Sequence, residues 1–131
     1  MHHQQKVDVR AEYRHQEAQR AEESSTLIDK FPQLKSLTVD LAHFNPESFS
    51  RIGEIKYKAN LQHARSVLRF DCVNRECVGG DFDLSDELAK AVAAGRAIVT
   101  GEVSCQGWRN RTTIDTVRCH NILRYKLSLS Y

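Results

Sequence analysis

The sequence predicts an α+β fold, in which an antiparallel β-sheet carries one packed helix and is preceded by an N-terminal helical extension. Three observations predict it. Apolar and polar residues alternate with a two-residue period in several separate segments. A helix-like segment with start and stop signals lies between two of these segments, and the N-terminal segment has helical composition without glycine or proline.

The composition is that of an ordinary globular protein. The chain has 131 residues, 40% of them hydrophobic and 27% charged, which is enough for one core. No apolar stretch reaches the ~18 residues of a membrane span. The start of the chain, from Met1 to Lys6, lacks the apolar run of a secretory signal. We therefore expect a soluble cytoplasmic protein whose thiols are kept reduced.

Residues 1–31 are predicted to form an N-terminal helical arm, and residues 32–131 an α+β domain. From Lys6 to about Lys30 the chain is rich in Glu, Gln, Arg and Ala, and Pro32 ends the helix because proline disfavours a helical conformation in the preceding residue. The apolar stripe of this helix is thin. Two interpretations stay open: a solvated arm, or a helix that pairs with its own copy or docks on another protein through residues 6–30.

The later segments alternate as strands do. A first strand is predicted over 34–44 and a second over 53–62, joined as an antiparallel hairpin by turn-forming residues. Further strands are predicted over 68–72, 97–105 and 121–131. Between them a helix is predicted to begin at Ser85, as N-cap, and to end at Gly95, in the left-handed conformation that glycine favours.

Four cysteines form a pattern that predicts a metal site, namely Cys72, Cys77, Cys105 and Cys119. Three of them are in phase with the apolar residues of their own strands, and the four-residue connector 73–76 would fold Cys77 back toward the same point. Zinc prefers tetrahedral thiolate coordination, and this spacer is at the upper end of common ligand-pair spacings. We therefore predict a structural Zn²⁺ bound by all four cysteines.

Other interpretations of the cysteines stay open. Buried free thiols would pack as small apolar residues, and two disulfides would require an oxidising compartment. His120 could replace Cys119 as a ligand, but neighbouring residues of a strand point to opposite faces, which favours Cys119. A single reactive thiol would need a basic neighbour such as Arg75 or Arg118.

Residues 68–123 resemble zinc-ribbon and zinc-knuckle domains. The resemblance is carried by Cys72-x4-Cys77 followed by Gly79, and by Cys105 and Cys119 on a later pair of strands. It implies a structural zinc ion whose four cysteine ligands leave no open coordination position. Such a site supports a fold rather than performing a reaction.

No residue pattern typical of an enzyme is found in the sequence. Asp81 and Asp83 precede the predicted helix, where carboxylates stabilise the helix N-terminus. His43 and His63 lack the Ser or Cys partners of a catalytic triad, and there is no phosphate-binding glycine loop or dinucleotide motif. We expect no catalytic activity and no small-molecule substrate.

Basic residues concentrate near the C-terminus, where residues 96–131 hold six Lys and Arg against two Asp and Glu, a net charge of +4. Arginine beside an aromatic ring is common in proteins that bind RNA or DNA. The predicted nucleic-acid contacts are Trp108, Arg109, Arg111, Arg118, Arg124 and Lys126. Lys56, Lys58, Arg65 and Arg69 are predicted to extend this surface.

Two functions therefore compete. The first is a zinc-stabilised module that binds nucleic acid or a nucleoprotein assembly through the basic surface. The alternative is a protein-interaction adaptor that uses the N-terminal helix, and a third interpretation is a sensor that releases zinc on oxidation. The basic residues also fit a solvated sheet face, since a pI of about 8.4 is below the pI above ~9 that is typical of dedicated nucleic-acid binders.

Overall fold

The computed structural model describes residues 2–74, 77–78, 80–109 and 117–131, with the side chains of these residues except 2–11, 14, 78, 108, 109, 117 and 118. The helices are α1 (His2–Glu23), α2 (Leu27–Lys30) and α3 (Ser85–Ala94). The strands are β1 (Ser36–Phe44), β2 (Arg51–Lys58), β3 (Arg69–Asp71), β4 (Cys77–Val78), β5 (Asp81–Asp83), β6 (Ile98–Ser104), β7 (Trp108–Arg109), β8 (Val117–Arg118) and β9 (Ile122–Ser130). The predicted α+β class is confirmed.

Four strands form the main sheet, in the order β2-β1-β9-β6, with all neighbours antiparallel. The two central strands, β1 and β9, pair from Ser36–Ser130 to Phe44–Ile122. The predicted hairpin of β1 and β2 is confirmed, and its register shifts between His43 and Phe44. The edges of the sheet are therefore β2 and β6.

The second strand is shorter than predicted. It ends at Lys58, whereas the alternating pattern continues to Gln62. The reason is local, because the side-chain oxygen of Asn60 accepts the N–H of Gln62 at 3.1 Å and closes a turn.

The core lies on one face of the main sheet. Along β1 every second residue is buried, in the phase of Leu37, and along β9 the buried phase is that of Leu123 and Leu127. Helix α3 packs toward this core through Leu88, Ala91 and Val92. The alternating residues of β1 and β9 that point the other way form the outer face of the sheet.

The two ends of α3 differ in how well the sequence predicts them. Gly95 ends the helix with a φ of 66°, as predicted. Ser85 is not the N-cap: its hydroxyl accepts the N–H of Leu68 at 2.8 Å, and its own N–H donates to the carboxylate of Asp83 at 2.9 Å. The N-cap is Leu84, which has no side-chain cap hydrogen bond, and the carboxylate of Asp83 satisfies the N–H of the first helical residue instead.

The N-terminal segment is not one continuous helix. After α1 ends at Glu23, Thr26 caps the short helix α2, because its hydroxyl accepts the N–H of Asp29 at 3.3 Å. The Leu27 N–H donates to the Ala64 carbonyl at 2.9 Å, and the Leu27 side chain is fully buried in the core. Among the described residues, no helix has both the length and the apolar character needed to cross a membrane. The division at residue 31 stays a prediction, as does dimerisation or docking through residues 6–30.

Candidate metal centre

Four sulfur atoms meet at one end of the main sheet. Cys72 follows β3, Cys77 begins β4, Cys105 follows β6 and Cys119 follows β8. Their Sγ atoms all lie within 4.8 Å of one another. The structure therefore brings the four predicted cysteines together, in positions that can hold a metal ion.

The separations fit a tetrahedral thiolate site. The Sγ atoms of Cys77 and Cys105 are 3.6 Å apart, and those of Cys72 and Cys119 are 3.8 Å apart. Metal–sulfur bonds of about 2.3 Å at tetrahedral angles place ligand sulfurs about 3.8 Å from one another. A disulfide would need about 2.05 Å, so the four thiols are free, and the two-disulfide interpretation does not describe this structure.

Cys105 and Cys119 are far apart in the sequence but adjacent in space. The Cys105 N–H donates to the Asn121 carbonyl at 2.8 Å, and the Cys119 N–H donates to the Gly107 carbonyl at 2.9 Å. These bonds continue the antiparallel pairing of β6 with β9 beyond the strand ends. Backbone pairing, rather than a short spacer, therefore positions this half of the site.

The other two cysteines are held by a tight turn. The Cys77 N–H donates to the Asn74 carbonyl at 3.0 Å, which closes the chain between the two ligands. The Cys72 N–H donates to the Gly80 carbonyl at 3.1 Å, just beyond the second cysteine. Both thiols of this pair are thereby directed to the same point, as the four-residue spacing predicts.

Two glycines pack against the sulfur atoms. At Gly80 a Cβ atom would overlap the Sγ atoms of both Cys77 and Cys105. At Gly107 a Cβ atom would lie 2.6 Å from the Sγ of Cys77. Neither position has room for a side chain, so the cluster requires glycine at both.

Amide groups donate hydrogen bonds to the sulfur atoms. The Gly107 N–H donates to the Sγ of Cys105 at 3.3 Å, and the side chain of Asn121 donates to the Sγ of Cys72 at 3.6 Å. The side chain of Asn74 lies 3.9 Å from the Sγ of Cys119. Such donors partly compensate the negative charge of thiolates in a buried site.

Sequence reasoning missed both asparagines, although a signal was present. Each occupies the second position after a cysteine, in Cys72-Val73-Asn74 and in Cys119-His120-Asn121. The same Cys-x-Asn pattern occurs in two segments that the fold brings together, and the alternation of apolar and polar residues in strands does not require it. It indicates an amide that turns back toward the thiolate cluster.

Hydrogen bonds among the thiols dominate their titration. The hydrogen bond with Cys105 and those with Cys72 and Cys77 lower the pKa of the Cys119 thiol. The hydrogen bonds with Cys119, Cys72 and Cys77, together with burial, raise the pKa of the Cys105 thiol. The cluster thus favours a mixture of thiol and thiolate on its own, and a bound cation would favour four thiolates.

His120 lies outside the cluster. Its side chain is exposed and its backbone has a φ of 53°, whereas Cys119 beside it is fully buried among the other thiols. The sharp local turn at His120 directs the two neighbouring side chains to different environments. The described group of candidate ligands contains Cys119 and not His120.

Three residues considered for catalysis or nucleic-acid binding have structural contacts. The carboxylate of Asp83 accepts the N–H of Ser85 at the start of α3, and the carboxylate of Asp81 accepts a hydrogen bond from the Nε of Arg69 at 2.8 Å. The Arg69 side chain is only 8% exposed. The prediction that Arg69 extends the basic surface is therefore wrong, because its guanidinium is buried in an ion pair.

The predicted nucleic-acid residues are only partly described. Arg124 and Lys126 are exposed on the outer face of β9, and Lys56 and Lys58 are exposed in the corresponding phase of β2. Arg111 lies outside the described residues. For Trp108, Arg109 and Arg118 the structure describes only the backbone, which pairs β7 with β4 and β8.

Among known proteins, no family model, no curated protein and no solved structure matches this chain.

Proposed function

We propose that the four cysteines bind a structural zinc ion, and that this ion stabilises a non-enzymatic module whose outer sheet face contacts single-stranded RNA or DNA. The observation that carries the metal assignment is the convergence of four thiols within 4.8 Å. All four coordination positions of a tetrahedral ion would be taken by cysteine, which leaves no position for a substrate. Free thiols of this kind suit a reducing compartment such as the cytoplasm.

Zinc is favoured by the chemistry of the donors. Four thiolates select soft or borderline metals, and Zn²⁺ and iron are the usual occupants of tetrahedral S₄ sites. A single Zn²⁺ would join β3, β4, β6 and β8, and in small domains the binding free energy of such an ion is part of the folding free energy. The glycines at 80 and 107 and the amide donors fit a compact ligand set of this size.

The outer face of the main sheet supports nucleic-acid binding. The register places Asp40 of β1 between Lys56 of β2 and Lys126 of β9, and places Thr38 beside Lys58. The three lysines are exposed, and no ion pair within 4.0 Å is found for them among the described residues. Three lysines without an ion pair of this length, on two strands of one sheet face, can each contact a phosphate.

An aromatic ring lies on the same face. Phe44 is half-buried, with the guanidinium carbon of Arg124 4.9 Å and that of Arg51 5.7 Å from its ring centre. Guanidinium planes held by an aromatic ring are suitable surfaces for stacking unpaired bases. This arrangement favours single strands, since paired bases in a duplex do not offer their faces.

The test is binding of fluorescent single-stranded oligonucleotides to the zinc-loaded full chain, measured by anisotropy over a range of salt concentrations. A variant with Lys56→Ala, Lys58→Ala and Lys126→Ala is expected to reduce the slope of log affinity against log salt by about 2, since each phosphate contact contributes about 0.7. The matched control removes the same charge elsewhere, through Lys30→Ala, Lys90→Ala and Arg96→Ala. Equal slopes for the two variants, or no binding by the wild type at low salt, would contradict the proposal.

A further inference from the structure

Strand β2 combines an open sheet edge with exposed apolar side chains. The Ala59 N–H donates to the Leu37 carbonyl at 2.8 Å, so with antiparallel alternation Gly53, Ile55 and Tyr57 direct their backbone groups toward β1. The backbone groups of Glu54, Lys56 and Lys58 then face away from the sheet. No strand within the described part of the chain pairs with these groups, and such groups can bind another strand.

Large apolar side chains are concentrated beside this edge. Exposed fractions are 64% for Phe49, 42% for Ile52, 50% for Ile55 and 46% for Val73. Ile55 pairs with Leu41, which is 1% exposed, so Ile55 lies on the core face of the sheet. Its exposure shows that the described residues only partly cover this face at β2. Val73 extends the patch, because its Cγ2 would lie 3.2 Å from a Cβ at Gly53. Exposed apolar side chains beside a sheet edge favour an interaction site.

We infer that β2 pairs with β2 of a second copy of this chain, antiparallel about a twofold axis at Ile55. The argument for a second copy is charge complementarity. In this register Glu54 of one copy lies opposite Lys56 of the other, and by symmetry the same pair forms again. Ile55 faces its own counterpart across the axis, where two apolar side chains come closest in a pair without backbone hydrogen bonds.

The neighbouring registers are less favourable. Moving the axis to Lys56 places two lysines opposite each other, and moving it to Glu54 places two glutamates opposite each other. Registers with the axis between two residues place outward-facing backbone groups of one copy opposite inward-facing groups of the other. The backbone hydrogen bonds between the two strands are then lost. The axis at Ile55 is thus the one among these that has opposite charges, an apolar centre and about four backbone hydrogen bonds from the two Glu54–Lys56 pairs.

The resulting dimer has one continuous sheet of both copies. It is isologous, since each copy contributes the same strand. The inference shares Lys56 with the proposed nucleic-acid surface, because in the dimer this lysine lies opposite Glu54 of the second copy. A chain that is monomeric in solution would overturn the dimer and leave the nucleic-acid proposal standing. Glu54 also forms an ion pair with Arg51 of its own copy at 2.8 Å. Glu54→Lys removes this ion pair as well as the contact with Lys56 of the second copy, so a double variant that restores the second contact is needed.

The test is the dimer dissociation constant of the zinc-loaded full chain, measured by analytical ultracentrifugation. Glu54→Lys or Lys56→Glu alone is expected to weaken the dimer by about tenfold, because both symmetry-related pairs become repulsive. The double variant Glu54→Lys with Lys56→Glu restores opposite charges and should recover wild-type association. Glu102→Lys, the same charge change on the opposite edge strand, should leave it unchanged. A monomer at all concentrations, or a dimer indifferent to the single reversals, would overturn the inference.

A cross-link checks the register independently. Ile55→Cys places a thiol on the twofold axis, where Cα atoms about 4.5 Å apart are within disulfide range, and mild oxidation should give a covalent dimer. Lys58→Cys places the thiol opposite Ile52 of the second copy, about 20 Å from the same thiol of that copy, and should not cross-link. Equal cross-linking of the two variants, or none with Ile55→Cys, would exclude this register.

Discussion

Asn74 and Asn121 each reach the cysteine that belongs to the other's segment. The Asn74 amide donates to the side-chain oxygen of Asn121 at 3.3 Å and lies 3.9 Å from the Sγ of Cys119, while the Asn121 amide donates to the Sγ of Cys72 at 3.6 Å. The two Cys-x-Asn segments are therefore linked both through sulfur and through their asparagines. Through this crossed arrangement the asparagines support the cluster of four cysteines.

Removing the buried asparagine should weaken metal binding. Asn121→Ala deletes the donor to the Sγ of Cys72 and the acceptor for Asn74, and such supporting groups typically contribute about 10–100-fold in metal affinity. Competition with a chromophoric chelator measures the metal affinity. The control is Asn60→Ala, which loses only the acceptor in a surface turn. Affinities for Asn121→Ala and wild type within about twofold would show that the amide network does not support the site.

Adding one methyl group beside the sulfur atoms should disrupt the centre. In Gly80→Ala the new Cβ would overlap the Sγ atoms of Cys77 and Cys105, so the protein is expected to lose bound metal. Gly95→Ala is the matched control, because that glycine has a φ of 66° and no atom within 4 Å of a Cβ. It should cost about 1 kcal/mol of stability and keep the metal. Full metal occupancy in Gly80→Ala would argue against the observed packing.

Two ion pairs of equal length should differ greatly in their effect on stability. Arg69 Nε and Asp81 Oδ2 are 2.8 Å apart with side chains 8% and 10% exposed, whereas Arg51 and Glu54 are 2.8 Å apart with side chains 58% and 53% exposed. Arg69→Met leaves a buried carboxylate and should lower the free energy of unfolding by about 3–5 kcal/mol. Arg51→Met should have little effect, as exposed pairs generally do. Urea denaturation compares them, and similar losses would show that burial is not the deciding factor.

Acid should destabilise the fold through His43. Burial lowers the pKa of this imidazole, which is 3% exposed and contacts Phe82 edge-on at 5.7 Å. Above about pH 6.5 the histidine is neutral in both states and its contribution is constant. As the pH falls below this value the unfolded chain binds the proton first, so the free energy of unfolding decreases by about 1.4 kcal/mol per pH unit until the folded-state pKa is reached.

His43→Phe isolates this effect from proton competition at the cysteines. The variant keeps an aromatic ring beside Phe82 but cannot titrate. Urea unfolding at several pH values between about 7.5 and 5 should show a shallower decrease for the variant than for the wild type. Parallel curves would mean that His43 does not contribute to the acid sensitivity.

Local alternation predicted the central strands well, since the burial of β1 and β9 follows the phase of Leu37 and Leu127. In β2, Ile55 pairs with the buried Leu41 on the core face, but its side chain is half-exposed because β2 is the edge of the sheet. Strand order depends on pairing between distant segments, which a local pattern does not contain. The convergence of the cysteines could be predicted because three were in phase with a strand and a short connector joins Cys77 to Cys72.

The predictions for Arg69 and for the end of the N-terminal helix were wrong for the same reason. Arg69 alternates as an outward residue would, but its partner Asp81 is brought beside it by the pairing of β3 with β5. The N-terminal helix was expected to continue to about Lys30, but long-range backbone bonds tie Leu27 and Ile28 to the segment near residues 61–64 and interrupt it. In both cases tertiary contacts override local propensity.

Elemental analysis of the purified full chain is the most direct test of the proposed centre. We predict about one zinc ion per chain, its loss when Cys105→Ser removes a buried ligand, and a lower melting temperature of the wild type in a strong chelator. A chain that contains neither zinc nor iron, and whose melting temperature is the same with and without chelator, would contradict the claim that a thiolate-bound metal holds this fold together.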